Sequence, residues 1–179
     1  MKITLINGCD INNTFYNEII ENICKYINKE EVMYHINDLN KLNLKSCTGC
    51  DSCQSIKPGL CAIDDGINHI LKEYLNSDIA IIITSIKFGT CNSITKNFID
   101  RTEPLFLPYQ ISKQGKTIMK NRYDKYPDII FIGIDDNIDT NSTEVFKDTF
   151  IKCNLFSASN KISVQTIKNK LDLEKIKFL

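Results

Sequence analysis

The chain has 179 residues, of which 42% are hydrophobic and 25% are charged, with 22 basic and 22 acidic side chains. This balance is typical of a globular protein with a substantial core, so we expect a single domain over residues 1–179. The zero formal net charge argues against nucleic acid or an anionic membrane as the main partner. The longest aliphatic run, residues 79–83, is too short to span a bilayer, and the start of the chain is typical of a strand and not of a signal peptide. We therefore expect a cytoplasmic protein.

Strand and helix patterns alternate along the chain. Apolar and alternating segments predict five strands, at residues 2–6, 31–36, 78–85, 129–134 and 158–164. Apolar residues at helical spacing predict helices that begin near residues 14, 64, 94 and 142. The third strand is a continuous apolar run, as expected for a central strand covered on both faces. The alternation predicts an α/β fold with a doubly wound, five-stranded parallel sheet in a three-layer α/β/α arrangement.

In such a sheet, ligands bind beyond the carboxyl ends of the strands, which here are residues 7–14, 84–93 and 134–141. The first of these loops turns into a helix N-terminus, where backbone N–H groups suit a phosphate, although the Asp10 carboxylate would repel one. Cys9 occupies the place of the nucleophile in the low-molecular-weight tyrosine phosphatases. Those enzymes need an arginine six residues further on, and this chain has Phe15 there. We exclude that chemistry and interpret Cys9 as a small loop residue.

Residues 105–127 do not fit the alternation and are predicted to be an insertion. The segment combines five basic side chains with three tyrosines. A lid, a nucleotide-binding arm, a subunit contact and a solvated loop all remain open as interpretations.

The cysteine segment, residues 47–61, is predicted to be a loop after the second strand. Cys47, Cys50 and Cys53 follow a C-x2-C-x2-C pattern, and Cys61 comes after seven further residues. In a reducing compartment, clustered cysteines bind metal or do redox chemistry more often than they form structural disulfides. The two-residue gaps favour an iron–sulfur cluster, as in ferredoxins, whereas structural zinc usually pairs two cysteine knuckles across a longer spacer. Zinc, a redox disulfide and free thiols remain as alternatives.

This cysteine spacing, the acidic pair at 64–65 and the residues KNFIDR at 96–101 together resemble the iron–sulfur flavoproteins. These are part of the wider NADPH-dependent FMN reductase family of flavodoxin-like proteins. The resemblance implies a flavodoxin-like fold, FMN, a [4Fe–4S] cluster on the four cysteines, and an oxidoreductase that takes electrons from NAD(P)H or a ferredoxin-like partner. It also implies a homodimer or homotetramer. It implies no catalytic acid or base, and none stands out in the sequence.

The resemblance further places FMN against the loops that follow the first, third and fourth strands. The implied contacts are Cys9, Asn12, Asn13, Thr14, Ser85, Ile86, Lys87, Phe88, Gly89, Thr90 and Cys91. The first loop lacks the arginine that relatives carry, and in the second the relatives' proline and tyrosine are Ser85 and Lys87. The alternative function is therefore a flavodoxin-like protein with a degenerate flavin site, whose cysteines serve a structural metal or a thiol redox role.

Overall fold

The structure is a computed structural model that describes residues 1–10, 12–29, 32–113, 115–135, 140–152 and 158–169, together with residues 172 and 176. The strands are β1 Lys2–Asn7, β2 Met33–Asp38, β3 Ile79–Lys87, β4 Thr90–Cys91, β5 Phe106–Lys113, β6 Lys116–Asn121, β7 Asp128–Ile134 and β8 Ile162–Ile167. The helices are α1 Thr14–Lys29, α2 Leu39–Leu42, α3 Ser52–Ser55, α4 Ile67–Leu75, α5 Ser93–Asp100 and α6 Thr140–Lys152, with a short 3-10 turn at Glu103–Leu105.

The main sheet is mostly parallel, as the alternation predicts. Five strands lie in the order β2-β1-β3-β7-β8, and each pairs in parallel with its neighbour. Within the described residues the sheet also contains β4, which pairs antiparallel with the end of β3. The order reverses at β1, so the chain crosses from β2 back past β1 to β3. The topological switch point therefore lies between β1 and β3, and ligands of such sheets bind beyond the carboxyl ends of the strands at that point.

The core lies in two layers, one on each face of the sheet. Helix α1 buries its apolar stripe, including Ile19, Ile23 and Ile27, against one face. Helices α4, α5 and α6 cover the other face, where Phe131 of β7 stacks on Phe150 with ring centroids 4.4 Å apart. Strand β3 is buried from Ile79 to Ile86 because it is covered on both sides. Burying each such side chain stabilises the fold by about 1.5–3 kcal/mol.

Two boundaries near the end of the chain differ from the prediction. The last strand is Ile162–Ile167 and not 158–164, because its pairing with β7 begins at Ile162. Helix α6 begins at Thr140, two residues before the predicted start at Ser142. Of the predicted ligand loop at 134–141, residues 136–139 lie outside the described part of the chain.

The insertion at 105–127 is a two-stranded antiparallel hairpin, β5–β6, separate from the main sheet. Its base is closed by Tyr126, which is buried and donates its hydroxyl proton to the Leu105 carbonyl. The same hydroxyl accepts from the Arg122 N–H at 3.1 Å. The insertion is thus a hairpin anchored at its base, with most of the described residues beyond that base exposed. Among the helices that the structure describes, none combines the length and apolar character needed to cross a membrane.

Candidate functional site

The four cysteines of the cysteine segment border one cavity of about 360 Å³. Cys47 and Cys50 are exposed, and Cys53 and Cys61 are partly buried. The opposite wall comes from the end of α5 and the turn that follows it, with Asp100, Arg101, Glu103 and Pro104. Within the described residues, no three cysteine, histidine or carboxylate side chains already have the arrangement of a metal site. The fold therefore gathers these residues around a common space without fixing their thiols at metal-binding distances.

The backbone of the cysteine segment reverses direction at left-handed residues. Gly49 has φ of 65° and Gly59 has φ of 84°, a region that glycine enters at little cost. Between them, α3 carries Cys53, whose carbonyl accepts from the Gly59 N–H at 3.0 Å. Added carbon at Gly59 would lie 3.0 Å from the Tyr123 hydroxyl of the insertion. Gly59 thus lets the segment fold back closely against the insertion.

Asn68, on α4, fixes the backbone of Cys61. Its side-chain oxygen accepts from the Cys61 N–H at 2.8 Å, and its amide donates to the Cys61 carbonyl at 3.0 Å. Because both backbone groups of one residue bind the same side chain, the position of Cys61 is set by the helix. The sequence analysis did not identify Asn68, since a single asparagine on a helix carries no distinguishing pattern.

Arg101 is buried beside the cavity with only 1% of its surface exposed. Its Nη1 donates to the Asp65 carboxylate and to the Lys45 carbonyl at 3.0 Å. Its Nη2 donates to the Ile63 carbonyl at 2.9 Å and to the Cys61 sulfur at 3.2 Å. One guanidinium therefore joins α5 to both ends of the segment and to one of its thiols.

The pKa shifts around Arg101 have opposing physical causes. Burial works to raise the pKa of the Asp65 carboxyl, but hydrogen bonds from Arg101 and from the Lys45 N–H outweigh it and hold that pKa below its usual range. Burial also works to lower the pKa of Arg101, but bonds to Asp65 and Cys61 raise it above its ordinary value. Both groups therefore remain charged near neutral pH. Burial, with the neighbouring Cys61 and Cys47, raises the pKa of the Cys53 thiol.

Asn97, one turn before Arg101 on α5, holds the chain just before the cysteine segment. It donates to the Leu44 carbonyl at 3.3 Å and accepts from the Ser46 hydroxyl at 2.9 Å. The sequence analysis noted residues 96–101 and the acidic pair at 64–65 only as part of a resemblance. In the structure, Asn97, Arg101 and Asp65 of these two motifs anchor the chain on either side of the cysteine segment.

The insertion also holds the cysteine segment, through Arg122. Its Nη2 donates to the Gln54 side chain at 2.8 Å and to the Cys53 carbonyl at 3.4 Å. Its Nε donates to the Pro104 and Phe106 carbonyls at 3.0 and 3.1 Å. Sequence reasoning grouped Arg122 with the basic residues of the insertion, and gave no signal that it contacts the segment.

A second candidate region lies where the loops after β1 and β3 meet. The Asn92 amide donates to the Gly8 carbonyl at 2.6 Å and to the Ser85 hydroxyl at 3.1 Å, and so joins the two loops. The Gly8 N–H donates to the Ile83 carbonyl at 2.9 Å. A side chain at Gly8 would meet Thr95 Oγ1 at 1.9 Å. Close packing of the backbone therefore fixes this junction.

The loop after β3 is a tight hairpin turn between β3 and β4. Phe88 and Gly89 stand at its tip with φ of 51° and 73°. Phe88 is fully exposed, and Gly89 is buried against Val145 of α6. Of the predicted flavin contacts in this loop, Lys87, Phe88 and Thr90 are exposed, whereas Ser85, Ile86, Gly89 and Cys91 are buried. An exposed aromatic ring at this edge suits stacking against a planar ligand.

The phosphate loop, residues 8–14, satisfies several of its backbone donors with its own side chains. The Asn13 side chain accepts from the Phe15 and Tyr16 N–H groups at 3.0 and 3.4 Å. The Asp10 carboxylate accepts from the Asn12 N–H at 2.9 Å. Cys9 is buried, while Asn12 and Thr14 are exposed and Asn13 is half-buried. A phosphate at the start of α1 would therefore compete with the Asn13 side chain for these two N–H groups.

The sheet order and the position of these loops define the class as flavodoxin-like α/β proteins. Solved structures of similar fold include an NAD(P)H:quinone oxidoreductase from Methanothermobacter marburgensis, at a TM-score of 0.69 and 11% identity, covering 98% of this chain and 89% of that one. Another is an FMN-dependent NADH-azoreductase from Bacillus anthracis in complex with FMN, at a TM-score of 0.64 and 11% identity, covering 98% and 93%. At these identities the likeness shows the fold alone.

In sequence, the chain is similar to an iron–sulfur flavoprotein of Archaeoglobus fulgidus, with 31% identity over 124 residues. The match covers 68% of this chain and 55% of the relative, so the chain spans about half of that relative's length. No family model matches the chain. The resemblance to the iron–sulfur flavoproteins that the cysteine spacing indicates is therefore confirmed.

Proposed function

We propose that this protein is an FMN-dependent oxidoreductase of the iron–sulfur flavoprotein type. In this proposal Cys47, Cys50, Cys53 and Cys61 hold a [4Fe–4S] cluster, and the loops after β1 and β3 hold FMN. When bound, FMN would exchange hydride with NAD(P)H and the cluster would carry single electrons, to or from a small-molecule or ferredoxin-like partner. The similarity to a curated iron–sulfur flavoprotein supports the proposal.

The observation that carries the cluster proposal is that all four cysteines border one cavity with a buried arginine at its wall. Thiolates are the ligands that iron–sulfur clusters use, and such clusters carry a negative charge once four thiolates bind. Arg101 donates from this wall to the Cys61 sulfur, with its own charge balanced by Asp65. The four thiols fit a metal group with sulfur ligands, and the lining also carries the carboxylates of Asp51, Asp100 and Glu103.

The flavin proposal rests on the junction of the two loops. Phe88 offers an exposed aromatic face, and Asn92 keeps the loops after β1 and β3 adjacent. The neighbouring solved structures include an azoreductase described as FMN-dependent and complexed with FMN. In this chain the loop after β3, with Phe88, fits the flavin ring more readily than residues 8–14 fit the phosphate, because the Asn13 side chain occupies two N–H groups there.

Cofactor analysis of anaerobically purified protein tests both parts. We expect about four iron and four sulfide per chain, with a broad absorption shoulder at roughly 400 nm, and flavin bands in addition. Iron should be lost in Cys50→Ser and retained in Cys24→Ser, because Cys24 lies on α1, away from the cavity. Protein that binds no iron even after reconstitution with iron and sulfide would contradict the cluster proposal.

A specific observation supports the alternative function, a flavodoxin-like protein with a degenerate flavin site. The self-satisfied phosphate loop favours a degenerate flavin site, with the cysteines serving a structural metal or a thiol role. Stoichiometric zinc on the four cysteines and no FMN binding by titration would favour this alternative. We also propose, from the resemblance, a homodimer or homotetramer, which light scattering on the purified protein would test.

A further inference from the structure

We propose that Arg101 sets the reduction potential of a cluster bound in the cavity that the four cysteines border, by donating a hydrogen bond to the Cys61 sulfur. This inference rests on the proposed function, because it requires a cluster in the cavity. It assigns Arg101 a role on the redox chemistry that goes beyond anchoring the cysteine segment.

The first observation is a direct contact to a ligand atom. Arg101 Nη2 lies 3.2 Å from the Cys61 sulfur. The guanidinium is held from the opposite side by Asp65 through Nη1, so the carboxylate does not compete for the donor that faces sulfur. Because the contacts to Lys45 and Ile63 also orient the planar fork, the donor is fixed in place before any cluster binds.

The second observation is that this contact is closed to water. The Arg101 side chain is fully buried, and the Asp65 carboxylate that pairs with it is only 9% exposed. Water therefore does not compete for the N–H group that reaches Cys61, and a hydrogen bond in such surroundings is electrostatically stronger than one in water.

The third step is the effect of this contact on electron affinity. Reduction adds one electron to the cluster, and the added negative charge is shared with its sulfur atoms. Hydrogen bonds to these sulfurs stabilise the reduced state. Arg101 provides one such bond, from Nη2 to the Cys61 sulfur, while Asp65 balances the charge of the guanidinium. The midpoint potential should therefore be higher with Arg101 than without it.

The test is a redox titration of reconstituted protein with dithionite, the one-electron source, followed by optical and electron paramagnetic resonance signals of the cluster. In Arg101→Gln we expect the ratio of reduced to oxidised cluster at a fixed potential to fall at least tenfold, which corresponds to about 59 mV for one electron. The glutamine variant leaves the Asp65 carboxylate buried without its partner, which itself lowers the potential. The double variant Arg101→Gln with Asp65→Asn removes both charges, so a smaller negative shift is expected there, from loss of the hydrogen bond to Cys61 alone.

Arg122→Gln is the charge-matched control, because Arg122 also contacts the cysteine segment but reaches the Cys53 carbonyl and no sulfur. We expect its shift to be less than a third of that in Arg101→Gln. Equal shifts in the two variants, or no shift at Arg101, overturn the inference while leaving the cluster proposal intact. Loss of the cluster from every folded Arg101 variant would also overturn it, since Arg101 would then serve retention of the cluster. A wild-type protein that binds no cluster overturns both.

Discussion

The cysteine segment and the phosphate loop are held in different ways. Outside the short helix α3, the cysteine segment and the chain just before it are irregular backbone, held by side chains from other elements, namely Asn68, Asn97, Arg101 and Arg122. In the phosphate loop, Asn40 and Asn92 hold two backbone carbonyls from outside, but the N–H groups bind side chains of the loop itself and the preceding strand end, namely Asn7, Asp10 and Asn13. The supports of the cysteine segment bind mainly backbone groups and leave its thiols available to a metal. The supports of the phosphate loop use several of the N–H groups that an anion would need.

The difference indicates that the two regions respond differently to substitution. In the cysteine segment, the binding groups are thiols, and the supporting residues lie elsewhere in the chain. In the phosphate loop, support and binding depend on the same atoms. Substitutions at the supports of the cysteine segment should therefore affect stability strongly, whereas those in the phosphate loop should trade stability against ligand binding.

The largest effect is expected at Asp65. Asp65→Ala leaves the Arg101 guanidinium buried without a counter-charge, which should lower the free energy of unfolding by about 3–5 kcal/mol. Chemical denaturation followed by circular dichroism measures this. Asp100→Ala removes the partner of Lys96, but both side chains of that pair are largely exposed, so we expect a cost of about 0–1 kcal/mol. Equal costs for the two variants would show that Arg101 is not structurally dependent on Asp65.

The pH dependence of the unfolding free energy should also depend on the ion pair between Asp65 and Arg101. The pKa of Asp65 is lower in the folded than in the unfolded protein, so its stabilisation is present above the unfolded value of about 3.9 and is lost as pH falls through the folded value. The difference in unfolding free energy between wild type and Asp65→Asn should be constant above about pH 5 and should shrink below about pH 4. A difference that stays constant to pH 2 would contradict the pairing.

Glycines in the two regions should respond for different reasons. Gly8→Ala should cost about 1–3 kcal/mol, because its methyl group would overlap Thr95 Oγ1 in a fully buried site. Gly49 has open space around it and a left-handed φ of 65°, so Gly49→Asn should cost less than about 1 kcal/mol. Thermal unfolding compares the two variants. If Gly49→Asn lowered the free energy of unfolding more than Gly8→Ala, the backbone would be packed more tightly at Gly49 than at Gly8, contrary to the structure.

Much of the fold could be predicted from the sequence, because β3 and β7 are continuous apolar runs and α1 and α4 each have one apolar face. Periodicity cannot locate the end of a strand that is set by pairing, which is why the position of β8 was predicted wrongly. The two-residue spacing predicted that the cysteines share one site, and in the structure they border one cavity. The motif at residues 96–101 includes Arg101, but the contacts of Arg101 were not predicted. The roles of Asn68 and Arg122 could not be predicted, since each depends on a contact between elements far apart in the chain.

The smallest effect on stability is expected for a substitution at Asn13, which should nevertheless change the affinity for FMN. The Asn13 side chain caps α1 by accepting from the Phe15 and Tyr16 N–H groups, so it competes with a phosphate for the same donors. Asn13→Gly should lower the free energy of unfolding by only a few tenths of a kcal/mol, roughly, because glycine is also an acceptable cap residue. We expect FMN to bind this variant several-fold more tightly, roughly three- to tenfold, measured by flavin fluorescence quenching. Riboflavin, which lacks the phosphate, should bind both proteins equally. Weaker FMN binding in Asn13→Gly would mean that the amide itself contacts the phosphate, and the phosphate loop would then be an intact binding site.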